Sequence, residues 1–483
     1  MKFSKLLGVS ALATIASLAS TAALAQTAAD PAAQTEEKAE NASEGIVVTG
    51  SRIRQPNQES VSPITTVTGD QFFETGRVSV GDVLNDLPQL RNTYSQQNST
   101  RFLGTRGLNL LDLRGLGTSR TLVLVNGRRH VAGDILVNGV SPDVNTIPTD
   151  LIQSVDVITG GQSSIYGSDA ISGVVNFNLK QNYDGLQLRG QAGANVDYRD
   201  AGNQYVSMLA GKNFAEGRGN VALNVEYAHS SPYYGSDRPN LRQNDAFVIV
   251  DTDPASSANG SDGVFDRQFL RDIRSTTIST GGQLGFTSPT GACGRDQNSN
   301  AAFTCAFLFQ PDGSLIPQTG TRVGIGPNGS FLGGNGYSGR EGKLLTLSPD
   351  LERISVNFLG HFDITPALVP FVEAKYVRAT AFGSTSGPFF SQGTTLGDPA
   401  ASNRERPRLD NPYLSAQARA VIEQQLRAGG VTPTDATRFS LRKNWVELGI
   451  RDENIKRETF RVVGGLRGDF NDDWNYEVVE LAP

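Results

Sequence analysis

Alternation with a period of two runs through the second half of the chain. Leu186, Leu188, Gly190 and Ala192 alternate with Gln187, Arg189 and Gln191, and Val221, Leu223, Val225 and Tyr227 alternate with Ala222, Asn224, Glu226 and Ala228. Ile354, Val356, Phe358, Gly360 and Phe362 alternate in the same way with Ser355, Asn357, Leu359 and His361, and Val372, Ala374 and Tyr376 with Glu373, Lys375 and Val377. Successive side chains of a strand point to opposite faces, so each stretch predicts a strand with one apolar and one polar face. Phe460 to Leu466 and Trp474 to Val479 add two more, and Tyr205 to Phe214, where the pattern is less clean, brings the expected number to about seven. A soluble sandwich and a membrane barrel both alternate like this. The connections favour the barrel, whose turns are short at one end and long at the other. The odd connections span 197–203, 231–352 and 381–457, the even ones only 215–219, 364–369 and 471–473. Both very long connections therefore leave from the same end.

Residues 51–180 read differently, as a compact α+β domain. Val61 to Val67 is extended, and Ser79 with Asp82 predicts the cap of a helix running through Leu87 and stopped by Pro88. Leu110 to Leu113 and Thr121 to Val125 are strand-like, Asn126-Gly127 is a hairpin turn, and Leu151 to Thr159 and Gly173 to Leu179 complete a small sheet. Gly115 and Gly117 suggest a dinucleotide fingerprint, but Arg120 stands where the third Gly belongs and a strand follows where a helix is needed.

The amino terminus is a processing signal. Lys2 and Lys5 precede an apolar run from Leu6 to Ala19 and small residues ending Ala23-Leu24-Ala25, so residues 1–25 are expected to be a cleaved signal peptide. Residues 26–50 form an acidic, apolar-poor tether that cannot offset its own ordering entropy. It ends in Ile46, Val47, Val48 and Thr49, a β-prone cluster that either adds to another protein's sheet edge or begins the domain itself.

Composition narrows the chemistry. A net charge of −6 argues against a nucleic-acid binder, and three scattered His with two Cys leave no metal-ligand spacing. Beyond the leader no apolar run is long enough for a spanning helix, so any crossing uses strands. Cys293 and Cys305 close a ring of 13 residues, and outside the cytoplasm a disulfide is expected. Asp251 to Gly263 holds oxygen ligands that suit either calcium or plain solvated turns.

Four motifs then appear in a fixed order: Asp112 to Gly117 (DLRGLG), Val123 to Arg128 (VLVNGR), Ile152 to Ile158 (IQSVDVI) and Tyr166 to Phe177 (YGSDAISGVVNF). Together they resemble the plug domain of TonB-dependent outer-membrane receptors. The resemblance implies a plug followed by an antiparallel transmembrane β-barrel, with 185–483 its amino-terminal part, in the outer membrane of a Gram-negative bacterium. It makes Ile46 to Thr49 the TonB box, the strand that pairs with the energy transducer TonB, and implies a monomer in outer-membrane lipid that takes up a scarce extracellular ligand such as a siderophore, vitamin or saccharide. No cofactor, catalytic group or nucleic-acid partner is implied. Plug arginines Arg114, Arg128 and Arg129 are expected either to meet wall acids such as Glu226 and Glu373 or to form a solvated basic face. The loop from Tyr94 to Arg106, with Tyr94, Gln96, Gln97 and Arg101, is expected either to touch ligand or to be an ordinary solvated connector. Plugged transporters have about 22 strands, so seven predict a truncated chain. A secreted β-rich adhesin is the alternative, and an exported enzyme ranks third because Asp469, Asp472 and Asp473 have no partner base.

Overall fold

The computed structural model describes residues 63–96, 104–133, 141–242, 244–250, 266–296, 300–337, 346–386, 389–391, 406–449, 451–471 and 474–482. The leader, the tether with Ile46 to Thr49, Gln97, Arg101 and the 251–263 segment lie outside the described residues. Among those described, no helix is long and apolar enough to cross a membrane.

The plug is built on a five-stranded sheet: β1 (Ile64–Thr68), β2 (Thr121–Val125), β3 (Arg128–Arg129), β4 (Ile152–Thr159) and β5 (Gly173–Leu179), in the order β1-β4-β5-β2-β3. Only β2 and β5 run parallel. Their near-continuous burial on both faces explains why both read as unbroken apolar runs. Gly173 is required where β5 begins, because a Cβ there would stand 2.1 Å from the Ile158 carbonyl oxygen. Asn126 and Gly127 take positive φ of 50° and 74° and make the β2–β3 turn. Ser79 caps the helix Val80–Leu84 by accepting from the Asp82 amide. That helix stops three residues short of the expected Leu87. Leu110 to Leu113 is not a strand but carries two isolated bridges, Tyr94 to Leu110 and Leu90 to Leu113. Asp112 bends the chain there, accepting from Thr93 Oγ1 at 2.7 Å and the Gly117 amide at 2.8 Å.

Seven long strands follow: Gly185–Asn195, Asp200–Phe214, Gly219–Ser230, Asp350–Phe362, Val369–Ser386, Arg451–Asp469 and Asn475–Ala482. They pair antiparallel with their sequence neighbours in one open sheet, here the wall. Leu188, Val206, Phe358 and Phe460 lie on its exposed face, while Tyr205, Leu209, Asn224 and Asn357 are buried on the plug side. Leu209 and Leu359 join the plug's apolar core, which also holds Phe72, Val157 and Phe177. That explains the weak alternation of the second strand, since a lumen face that packs on a plug need not be polar. Aromatic rings gather at the short-turn end, where Phe214 stacks on Phe362 and Phe470 on Tyr476.

The two long connections fold into one unit. A second five-stranded sheet orders Leu315–Pro317, Cys305–Phe309, Gln283–Phe286, Arg442–Asn444 and Phe389–Ser391, taking three strands from one connection and two from the other. The helix Ala416–Ala428, capped by Ser415 and ended at Gly429, buries Ala418 and Ile422 against Leu284, Phe307 and Phe439. A disulfide joins Cys293 to Cys305 at the edge of this core. Replacing both cysteines by Ser should destabilise the unit by about 3 kcal/mol on loop-closure grounds. Limited proteolysis should then cut residues 283–317 faster than in the parent, with the wall strands unaffected; equal rates would remove the disulfide from the unit's stability.

Candidate functional site

The seam between plug and wall is lined by charges that neither side could bury alone. The turn at Asn126 sets the first contact: its side-chain carbonyl accepts from the Leu179 amide at 2.8 Å, and its Nδ2 donates to Glu373 Oε1 at 2.8 Å. Arg128, the first residue of β3, pairs with Glu373 at 3.0 Å and with Glu477 at 2.9 Å, and lies 4.7 Å over the Phe371 ring. Arg461 reaches the other oxygen of Glu373 at 3.1 Å and is 3% exposed. One carboxylate thus serves two guanidiniums and an amide.

A second contact lies beside it. Lys375 Nζ stands 3.1 Å from His130 Nε2 and 3.2 Å from the Thr146 carbonyl oxygen. Thr146 Oγ1, which donates to the Asp143 carbonyl oxygen at 2.7 Å, lies 2.8 Å from the same His130 nitrogen. Burial first, then Lys375 and Arg461, hold His130 well below the usual imidazole value. Farther along, Glu226 accepts from the Thr149 and Asp150 amides at 3.2 and 2.9 Å, and Asp150 pairs with Arg189 at 2.9 Å. At the long-connection end Arg457 donates to the carbonyl oxygens of Arg106 and Gly104 at 2.7 and 2.6 Å.

The expected contact residues therefore part company. Arg128 and Glu373 meet directly. Glu226 meets backbone amides of the plug rather than a plug arginine, because β4 begins just beyond Thr149 and Asp150 and leaves their N–H groups at the seam, and the arginine acting on it is Arg353 of the wall. Arg129 points back into its own domain, to Asp169 at 2.5 Å and the Tyr166 carbonyl oxygen at 2.7 Å. Its neighbour Arg128 faces the wall, and alternation along β3 sends the two to opposite sides. Arg114 is exposed in a turn with φ 56°, and no carboxylate pairs with it among the described residues. No sequence motif marks Lys375, Arg461 or His130 as a contact. Lys375 is legible as a polar member of an alternating strand, but nothing local indicates its partner.

Beside the seam, at the end where the long connections leave, a cavity of about 240 Å³ opens between plug residues 77–96 and the ends of the second and third wall strands. Gln96 lines it, and its amide donates to Asp82 Oδ1 at 3.2 Å. Tyr94 is instead held in a bridge to Leu110. Behind the lining residue Asp82, Asn109 Nδ2 donates to its carboxylate at 2.8 Å and the Asn109 backbone amide to Asp143 at 3.0 Å. Burial, opposed by these hydrogen bonds, pushes both carboxyls above their usual value.

A model of the TonB-dependent receptor plug domain family matches residues 56–174. Residues 56–174 are a TonB-dependent receptor plug domain. Among the described residues the seven wall strands after it form one open antiparallel sheet. Similar solved structures include a variant of the ferric enterobactin receptor PfeA from Pseudomonas aeruginosa in complex with enterobactin, 11% identical over 87% of this chain and 46% of that one, TM-score 0.39. The siderophore receptor PirA from Acinetobacter baumannii is 14% identical over 86% and 46%, TM-score 0.34, and the ferric yersiniabactin uptake receptor FyuA from Yersinia pestis 12% over 85% and 46%, TM-score 0.32. The chain spans about half the length of these proteins.

The seam can be tested from either contact. Glu373→Ala strands two partly buried guanidiniums and should weaken plug docking by about 3 to 5 kcal/mol. Glu373→Gln, which keeps an acceptor, should cost less, and hydrogen exchange of the β2–β3 turn reads the difference. Separately, a base whose folded pKa is depressed contributes stability that is present above its unfolded value of 6.5 and is lost as pH falls below it. Unfolding midpoints should therefore drop between pH 7.5 and 5.5 by less in His130→Gln than in the parent, and parallel curves would rule out His130 as the titrating group.

Proposed function

We propose that this chain is the plug and first wall strands of a TonB-dependent outer-membrane receptor that imports a scarce extracellular ligand. One observation carries the reading: a plug domain of this family sits against the inner face of a seven-stranded sheet whose outer face is apolar. An exposed apolar face of that extent suits lipid, and rings clustered at the short-turn end suit a membrane interface. In this reading the short turns face the periplasm and the disulfide-bearing unit faces outward. Energy enters through Ile46 to Thr49, which precede β1 in the chain and would pair by backbone with TonB. A passive pore has no need of a plug. The polar seam fits an element that must seat firmly and still move.

Val47→Pro removes one backbone donor from that segment and should abolish cross-linking to TonB. Fractionation should still recover the variant in detergent-extracted outer membrane. Undiminished cross-linking would move the coupling strand elsewhere, and release without detergent would point to a secreted protein.

A further inference from the structure

We propose that the seam between plug and wall is gated by pH: acid loosens the seating of the plug, and His130 is the group that takes up the proton. The gate rests on the receptor reading for its purpose, since that reading makes the plug a movable part, but not for its chemistry. His130 follows β3 directly, and its amide donates to the Val123 carbonyl oxygen at 3.2 Å. The ring is thus carried on the sheet edge that presents Arg128 to Glu373, and it is buried where that edge meets Lys375 of the wall.

A protonated imidazole donates from both nitrogens. Nε2 lies 2.8 Å from Thr146 Oγ1 and 3.1 Å from Lys375 Nζ, whereas Nδ1 is buried with no hydrogen-bond partner among the described residues. The cation would therefore bury an N–H with nothing to accept it, and a charge besides.

The groups packed around the ring add to that cost. Lys375 and Glu373 come from the fifth wall strand, Arg461 and Arg457 from the sixth, and Asp143 and Arg128 from the plug. Glu373 is divided between Arg128, Arg461 and Asn126, and Asp143 accepts from the Asn109 and Asn145 amides at 3.0 and 3.1 Å. Arg457 is turned to the carbonyl oxygens of Arg106 and Gly104. Among the described residues both carboxylates near His130 are thus already engaged, and a proton on the ring would add a like charge beside Lys375. The fifth and sixth strands each have a neighbour on both sides, so the wall behind His130 is not an open edge.

Burial, with Lys375 and Arg461, holds the seated ring well below the usual imidazole value. Separating plug from wall takes both cations away and opens the ring to water, where it protonates near its ordinary value of 6.5. The separated state then binds a proton that the seated state does not. Seating is at full strength above 6.5 and is lost as pH falls through it, by a factor that approaches ten for each further pH unit.

Hydrogen exchange of the purified chain in detergent at pH 7.5, 6.5 and 5.5, corrected for the intrinsic pH dependence of exchange, reads seating directly. Peptides over 126–133 and 143–150 should lose protection about tenfold between pH 7.5 and 5.5, while those over the plug strands 152–159 and 173–179 keep theirs. His130→Gln should flatten the response. Lys375→Glu should remove it too, because a protonated ring would then have a carboxylate beside it. A flat parent profile, or an equal loss in His130→Gln, overturns the gate, the second by assigning the titration to a carboxylate. Loss in the two plug strands together with the seam means unfolding, and also overturns it. Should either variant misfold, the parent profile still decides, since a fall centred below about pH 5 belongs to a carboxylate and not to His130. None of these readouts involves TonB, so a seam that fails the test leaves the receptor reading standing. Absence of any cross-link between the parent segment 46–49 and TonB tells against that reading and leaves the gate untouched.

Discussion

A charge removed from water has to be paired, and the plug–wall seam is where this chain meets that demand. Glu373 is met there by Arg128, Arg461 and Asn126, and a guanidinium withdrawn from water without such a carboxylate would carry a desolvation cost with nothing to offset it. Because partners come from both sides, the plug fits the wall in one position only. The alternative, an apolar seam, would gain about 25 cal/mol for every Å² buried and would weld the two parts into one core. Apolar contact is instead confined to a few side chains, among them Leu209 and Leu359. Hydrogen bonds contribute only about 1 kcal/mol each in net terms, yet they are strict about geometry. The seam therefore specifies position more strongly than it resists separation.

Much of this is legible in the sequence because the wall strands obey a period of two. Leu223 and Glu226, or Phe358 and Leu359, declare which side they face through their place in the alternation alone. What alternation cannot supply is the partner across the seam. Glu226 is readable as a lumen acid, but its partners are two backbone amides that exist only because the chain enters β4 at that point. Arg114 and Arg128 look equivalent in sequence. One sits in an exposed turn at positive φ, and the other opens a strand that faces the wall.

The outer unit shows the same limit more sharply. Its strands are short, and two of them lie more than a hundred residues from the strands they join, with Gln283 facing Arg442 as the pair that links the connections. Nothing local encodes that pairing. The helix Ala416–Ala428 does carry local signals, Ser415 as cap and Gly429-Gly430 as stop, and an apolar pair at Ala418 and Ile422 on one face. Treating the two long connections simply as loops passes over them.

Cavity and seam are built on a single polar network, and that has a consequence for how the plug holds its shape. Asn109 joins Asp82 on the cavity floor to Asp143, whose carboxylate also accepts from the Asn145 amide, and Thr146 next in the chain meets Lys375 of the wall. Gly81 makes room for this arrangement, since a Cβ there would lie 2.2 Å from the Asn109 side chain. Asn109, Asp143, Asn145 and Thr146 are buried, so each has to keep its partners or incur a desolvation cost. A shift of the plug against Lys375 would have to be absorbed somewhere along this chain of bonds, and the cavity floor is its other end. The position of the polar groups around the opening is thus set partly by how the plug is seated, through contacts that never touch the cavity itself.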